Sequence, residues 1–350
     1  MIKSREVRLK SRPIGPVALE NFELATVNVP SPQDGEALIK NLWMSIDAGQ
    51  RTLMGSGDAD IADLPPKRFE LNEPMECQAI GQVIESHDSN LPVGTFVSSN
   101  FGWREYFVFK GKQDGFTLTK LEVPVSPLQA HLHIMSVYGA TAYYFITQCA
   151  KVQAGETVWI STAAGTTGSM ACQIAQISGC KVIGTTGSDR KVEWLMEELG
   201  LDAAFNYHAP DLRDAIKAAC PEGIDVYLDF VGGHQLETAI DLMNPQGRII
   251  KVGETSSYDG GKTDGPGNLF QIVLKRLDLL GRSVFDILAQ PARMENVYAR
   301  LGKWHADGTI KVQETVYEGI ENAAQAQIDL LGGKNIGKML VKVGEPENIR

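Results

Sequence analysis

The segment from residue 157 to residue 184 restricts the fold more than any other part of the chain. Thr157-Val-Trp-Ile-Ser161 reads as a buried strand, Ala163-Ala-Gly165-Thr-Thr-Gly168 follows it, and residues 169–177 carry the apolar periodicity of a helix. The turn is a G-x-G-x-x-G sequence with Ala163 in place of the first glycine. A second apolar run at residues 181–184 completes a strand–helix–strand unit of about 30 residues. Gly165 leaves room for the backbone to approach a pyrophosphate, and Gly168 lets the helix pack tightly on the strand. Thr166 and Thr167 lie between them at the helix N-terminus, whose N–H groups and dipole favour an anion. The unit predicts a dinucleotide site, the alternative being a plain tight strand-to-helix turn.

The rest of the chain extends this unit in one direction and departs from it in the other. From about residue 130 onward, apolar strands at residues 203–206, 225–230 and 248–252 alternate with helical patterns, which predicts strand–helix–strand repeats and a parallel sheet. Residues 1–125 instead show short apolar runs (37–42, 77–84, 96–97, 105–108) punctuated by glycine, proline and aspartate, the texture of an antiparallel β-rich domain. A helix-like stretch at 321–331 and a strand at 338–343 close the chain and are expected to return to that first domain. The expected division is residues 1–125 with 315–350 against residues 126–314.

The tip of the second strand, Gly184-Thr-Thr-Gly-Ser188, selects the cofactor. NAD sites place an acid near this point to grip the ribose 2′-OH. Asp189 stands at the right distance, but Ser188-Asp189 directly precedes a helical pattern at 191–199 and is better read as an N-cap and a first-turn acid. Ser188, Arg190 and Lys191 are then left to face a 2′-phosphate, which guanidinium and ammonium groups bind by charge-assisted hydrogen bonds. The reading is NADPH, the alternative being a solvated basic pair at a helix start.

Composition removes other classes. The formal net charge of −10 repels phosphate backbones and anionic lipid surfaces, so neither nucleic acid nor membrane is an expected partner. Residues 1–10 are charged and no run approaches the length of a membrane span, so a cytoplasmic protein acting on a small molecule is expected. Five cysteines (Cys77, Cys149, Cys172, Cys180, Cys220) without a C-x-x-C pair predict reduced, mostly buried thiols.

Several stretches in order now resemble one family: Met44-Ser-Ile-Asp47 with Arg51, Gly139-Ala-Thr-Ala-Tyr143, the turn at 164–169, Gly187-Ser-Asp-Arg-Lys191, Phe205-Asn-Tyr207, Val231-Gly-Gly233, Gly247-Arg-Ile, Tyr258 and Asn335-Ile-Gly-Lys338. The chain resembles the zinc-independent medium-chain dehydrogenases/reductases, in the branch of leukotriene B4 dehydrogenase, prostaglandin reductase and NADPH-dependent double-bond reductases. The resemblance implies an α/β fold: a GroES-like β-rich domain formed by both chain ends and a Rossmann domain with a doubly wound parallel sheet. It implies Gly165 to Gly168 on the pyrophosphate, Lys191 and Tyr207 by the 2′-phosphate, Val252, Gly253 and Tyr258 beside the nicotinamide, and Asn335 closing over the cofactor. It also implies a homodimer paired through an edge strand, here expected at residues 280–286. Three positions depart from the family pattern: Ala48-Gly49-Gln50 lacks a tyrosine found in many members, Phe230 replaces a common asparagine, and Arg282 replaces an aromatic pocket residue.

Zinc-dependent relatives need histidine and thiolate ligands. Their ligand segment aligns with Glu76-Cys-Gln78, which has no histidine, while residues 44–47 have no cysteine, so no catalytic zinc is expected. His131 and His133 lack a third ligand and read as packing or surface residues. Without a metal, the reaction left is conjugate reduction of an enone or enal, whose site must stabilise an enolate. Tyr258, at the carboxyl end of the sheet, is the candidate donor to that oxygen, the alternative being a loop aromatic that only packs. Tyr143 and Arg282 are candidate pocket residues. NADPH-dependent quinone reduction and noncatalytic NADPH binding are the competing functions.

Overall fold

From Ile2 to Leu9 the chain buries Ser4, Glu6, Val7 and Leu9 between more exposed lysine and arginine residues, as a strand at a sheet edge can. In the computed structural model, which describes residues 1–55, 68–111, 118–121, 127–258 and 265–348, this stretch is β1. It pairs antiparallel with β2 (Phe22–Val29), Ile2 opposite Val29 and Leu9 opposite Phe22. Neither strand is among the runs expected from sequence. The expected run at 37–42 extends into β3 (Ala37–Ile46), and those at 77–84, 96–97 and 105–108 shift into β4 (Ala79–Ser86), β5 (Phe96–Ser99) and β6 (Tyr106–Phe109). β7 (Thr119–Lys120) pairs with β5.

The described residues divide into two units, Met1–Leu132 with Glu314–Arg350 and His133–Gln313. The expected boundary between residues 125 and 126 lies outside the described residues.

The second unit is built on β8 (Thr157–Ile160), β9 (Lys181–Thr186), β10 (Ala203–Asn206), β11 (Ile224–Asp229), β12 (Met243–Lys251) and β13 (Asp278–Gly281). Their order across the sheet is β10-β9-β8-β11-β12-β13, every pair parallel. Numbered within the unit this is 3-2-1-4-5-6, the doubly wound order in which ligands bind at the carboxyl ends of the strands, where the order reverses between β8 and β11. Ile183, Trp159, Tyr227 and Ile249 are register partners on four adjacent strands, each fully buried. The Trp159 and Tyr227 rings lie 4.5 Å apart, and the Trp159 indole N–H donates to the Thr185 hydroxyl. Fully burying such side chains contributes roughly 1.5–3 kcal/mol each, which explains strands that are apolar on both faces rather than alternating.

The chain end completes the first unit. β14 (Glu314–Glu318) lies parallel to β15 (Lys338–Lys342), and β15 runs antiparallel to β3 with Val341 opposite Met44. The helix Ala323–Leu331 sits between them in sequence, preceded by a 3-10 turn at Ile320–Asn322. Leu9, Met44, Trp103, Ala326, Met339 and Val341 are buried in one cluster of this unit. Among the described residues no helix is long and apolar enough to cross a membrane.

Candidate active site

The turn after β8 is fixed from both sides. The Ala163 amide donates to the Thr185 carbonyl on β9, while the Ser161 hydroxyl donates to the Leu228 carbonyl and accepts from the Phe230 amide at the end of β11. Thr162 takes a left-handed conformation at φ 47°, which reverses the chain. Gly165 is extended at φ −83°, ψ 174°, and caps the helix Thr166–Ile177. The helix thus begins three residues earlier than the apolar pattern suggested, so Thr166, Thr167 and Gly168 form its first turn. The first turn of a helix, with its N–H groups and positive dipole end, is where an anion such as a pyrophosphate is favoured.

At the tip of β9, Ser188 stands at the N-cap of the helix Asp189–Glu197, but its side chain makes no capping hydrogen bond. Ser188 and Asp189 thus take the expected N-cap and first-turn positions, and Asp189 accepts from the Asn206 side-chain amide at 2.8 Å. Lys191 is 9% exposed, and burial, with a smaller contribution from neighbouring Arg190, depresses its ammonium to about 8. An ammonium so buried and so depressed is costly without an anion. Tyr207 completes the cluster: its amide donates to the Thr186 carbonyl, and a β-carbon on Gly187 would fall 3.1 Å from its hydroxyl. Ser188, Lys191 and Tyr207 are the candidates to hold a ribose 2′-phosphate.

The loops after β11 and β12, where the candidate Tyr258 lies, are organised by a residue that sequence reading misses. Asp229, fully buried at the last position of β11, accepts from the Tyr227 hydroxyl (3.1 Å), the Val231 amide (3.0 Å) and the Gly232 amide (2.8 Å). Its backbone carbonyl accepts from the amides of Val252 and Gly253 on the neighbouring loop. An acid ending an apolar strand immediately before Phe-Val-Gly-Gly was the available signal. The loop continues through Thr255, whose amide donates to the Phe230 carbonyl, into a 3-10 turn ending at Tyr258. A β-carbon on Gly253 would lie 3.5 Å from the Tyr258 hydroxyl. The phenol is raised above its ordinary value, chiefly by burial, with the Glu254 carboxylate adding to the rise and a hydrogen bond from the Glu254 backbone opposing it.

Comparison with known proteins identifies the family. Residues 5–116 match the family described as the N-terminal domain of oxidoreductase, and residues 166–302 match the family described as zinc-binding dehydrogenase. Prostaglandin reductase 1 of Bos taurus is 36% identical over 98% of this chain and 100% of its own length. The NADP(+)-dependent 2-alkenal reductase of Nicotiana tabacum is 32% identical over 98% of each chain. The chain belongs to the zinc-independent medium-chain dehydrogenases/reductases. A crystal structure of CurA from Vibrio vulnificus in complex with NADPH shares the architecture of this medium-chain reductase, with a TM-score of 0.89 and 30% identity over 98% of this chain and 100% of that one.

The remaining expected site residues of this medium-chain reductase lie in both units. Tyr143 lies on the helix Val137–Tyr144 and packs on Trp304, ring centroids 6.1 Å apart. Arg282 is not on an edge strand: β13 ends at Gly281, and the exposed arginine donates to that residue's carbonyl at 2.9 Å. The edge strand expected at 280–286 is therefore corrected to Asp278–Gly281, because a turn and the helix Phe285–Leu288 follow. Asn335 is buried in the first unit, its side-chain amide donating to the Gly337 carbonyl. Gln50 is buried there too, accepting from the Asp47 amide, and Asp47 pairs with the buried Lys338.

The positions compared with zinc ligands have other roles. Cys77 is buried, and burial raises its thiol well above the ordinary value. His133 is buried and accepts the Ile134 amide on Nδ1, whereas the His131 carbonyl accepts from Gln78. Among the described residues no three histidine, cysteine or acidic side chains converge as a metal site. The described cysteines are free thiols, four of them buried and Cys149 partly exposed.

Proposed function

We propose that this chain, an NADPH-dependent oxidoreductase, reduces the carbon–carbon double bond of α,β-unsaturated ketones and aldehydes. The observation that carries the reading is Tyr258: a half-buried phenol, whose ionisation burial makes harder, held beside Gly253 at the carboxyl end of the parallel sheet. Bound NADPH would supply the hydride that adds to the β-carbon. Charge then develops on the carbonyl oxygen, where a preorganised donor contributes most. Tyr258 donates that hydrogen bond, and its phenol is a proton source for the enolate. Gly165 to Gly168 hold the pyrophosphate, and Ser188, Lys191 and Tyr207 hold the 2′-phosphate. The relatives named prostaglandin reductase and 2-alkenal reductase support the substrate class.

NADPH and NADH oxidation measured against a panel of enones, enals, quinones and 2-enoic acids tests the reading. Turnover confined to enones and enals with NADPH is expected. Turnover with quinones alone would replace it with quinone reduction, and silence across the panel would leave an NADPH-binding protein.

We also propose that two copies pair along β13. This strand is the edge of the parallel sheet, and Leu279 on it is 44% exposed. Phe270, Val273 and Leu274 on the adjoining helix Phe270–Lys275 are 69%, 66% and 55% exposed. An open strand edge flanked by apolar side chains is a template for pairing unless another chain covers it.

A further inference from the structure

Asp229 and Lys251 are register partners at the ends of β11 and β12, and the Lys251 Nζ lies 2.8 Å from Asp229 Oδ2. The same ammonium lies 3.5 Å from a Glu254 carboxylate oxygen one turn further along. Both contacts close over Gly232, where an added β-carbon would stand 2.9 Å from the Lys251 nitrogen and 2.9 Å from Glu254 Oε1. Gly232 has φ 75°, so the position takes glycine for conformation as well as space.

We infer that Lys251 is a positioning residue: clamped between Asp229 and Glu254, it fixes the segment that carries Tyr258 against the loop leading into the helix Gly233–Leu242. The inference rests on the reading of Tyr258 given above.

The geometry supports a clamp rather than a surface ion pair. Asp229 is fully buried and uses one carboxylate oxygen for three donors, two of them amides at a helix N-terminus, where a negative charge is favoured. Its second oxygen is neutralised by Lys251, whose side chain is 26% exposed. The Asp229 carbonyl meanwhile holds the amides of Val252 and Gly253, and the Val231 carbonyl accepts both the amide and the hydroxyl of Ser256. The β11 loop and the β12 loop are therefore joined by backbone on one side and by a charge bridge on the other. Removing the bridge leaves the chain path intact but releases Glu254, whose carbonyl accepts from the Ser257 amide and hydroxyl in the turn that ends at Tyr258.

The test compares Asp229→Asn/Lys251→Met, Lys251→Arg and Glu254→Gln in the full-length protein. The double substitution avoids stranding a buried charge. Three quantities are measured: NADPH affinity by fluorescence titration, turnover on an enone, and amide hydrogen exchange over residues 252–258. The expected result is NADPH affinity within about threefold of wild type, exchange faster by about tenfold and turnover lower by about tenfold, with Lys251→Arg restoring most of both losses. In a Tyr258→Phe background the double substitution should cost no further turnover, because coupled residues are non-additive. A merely structural role would lower the melting temperature and leave exchange and turnover of the folded protein unchanged, which overturns the inference. So does faster exchange with wild-type turnover when Tyr258→Phe alone is slow. If Tyr258→Phe alone turns over like wild type, the reading of Tyr258 fails, and exchange over 252–258 still decides whether Lys251 holds the segment. Should the double variant not fold, Glu254→Gln, which keeps the Asp229–Lys251 pair, decides by the same readouts.

Discussion

The carbonyl oxygen of Thr162 occupies the space in which a β-carbon on Gly168 would stand, 2.3 Å away. The strand-to-helix turn is thereby closed against its own helix, and the obstacle is backbone with no flexible side chain to yield. Gly168→Ala must push the helix Thr166–Ile177 off the turn, at an overpacking cost of about 1–3 kcal/mol. Thermal unfolding should fall by about 2–4 °C for each kcal/mol. The stabilisation that NADPH confers on the wild type should shrink as well, because the first-turn amides move. A variant that melts like wild type and is equally stabilised by NADPH would show that the turn tolerates the displacement.

Lys191 should decide between the two nicotinamide cofactors. Hydrogen bonds to charged groups contribute about 1.5–3 kcal/mol, so Lys191→Ala should weaken NADPH binding by about 10- to 100-fold and leave NADH binding unchanged. The pH dependence has a definite sign. Burial lowers the ammonium of the free protein to about 8, so the charged form that attracts the 2′-phosphate is intact below that pH and is lost above it. Wild-type NADPH affinity should fall as pH rises through 8, and the fall should be missing in the variant. Fluorescence titration from neutral to alkaline pH measures both, and equal losses for NADPH and NADH would assign Lys191 a structural role.

The parts of this molecule that were legible in the sequence are those governed by local rules. The strand at 157–161, the glycines at 165 and 168 and the helix after them follow from periodicity and backbone space, and only the helix start moved, because Gly165 could serve as its cap. The β1–β2 ribbon is not legible in the sequence because buried positions of β1 are polar, Ser4 and Glu6, so no period-two apolar pattern marks the strand. Arg282 reads from sequence as part of a strand because a short apolar run does not reveal where an exposed edge stops. Asp229, Lys251 and Glu254 stayed hidden for a different reason: the pair depends on parallel register between two strands and the third member on the loop beyond, and nothing local fixes either.

The proposed pairing along β13 has a direct check. Phe270 and Val273 are two-thirds exposed, so replacing both with glutamate removes no internal packing while placing charge on the sheet-edge face. Wild-type protein should run as a dimer in size-exclusion chromatography with light scattering, and Phe270→Glu/Val273→Glu should run as a monomer of unchanged circular dichroism. A monomeric wild type, or a dimer that survives both charges, would remove this face from the interface.

Tyr258 is the residue on which the proposed reaction depends, and its environment predicts how it should behave. Burial makes the ionised phenolate less favourable, and the Glu254 carboxylate acts in the same direction, so the phenol stays protonated beyond its ordinary range. The protonated form is the one that donates to a developing oxyanion. Turnover should therefore hold level through neutral and mildly alkaline pH and decline only as pH rises through the elevated phenol value. Tyr258→Phe removes the donor while keeping the ring that packs beside Gly253, so NADPH affinity should change little. Loss of one preorganised donor to an oxyanion typically costs about 10²–10³ in turnover, and a variant whose enolate is protonated by water should sit at the lower end of that range. The alkaline decline should also vanish from the variant, since no phenol remains to titrate. Steady-state kinetics of both proteins on one enone across this pH range check the two expectations together. An unchanged turnover number with the same alkaline limb would mean that Tyr258 only packs on the cofactor, and that the oxyanion is met by another group.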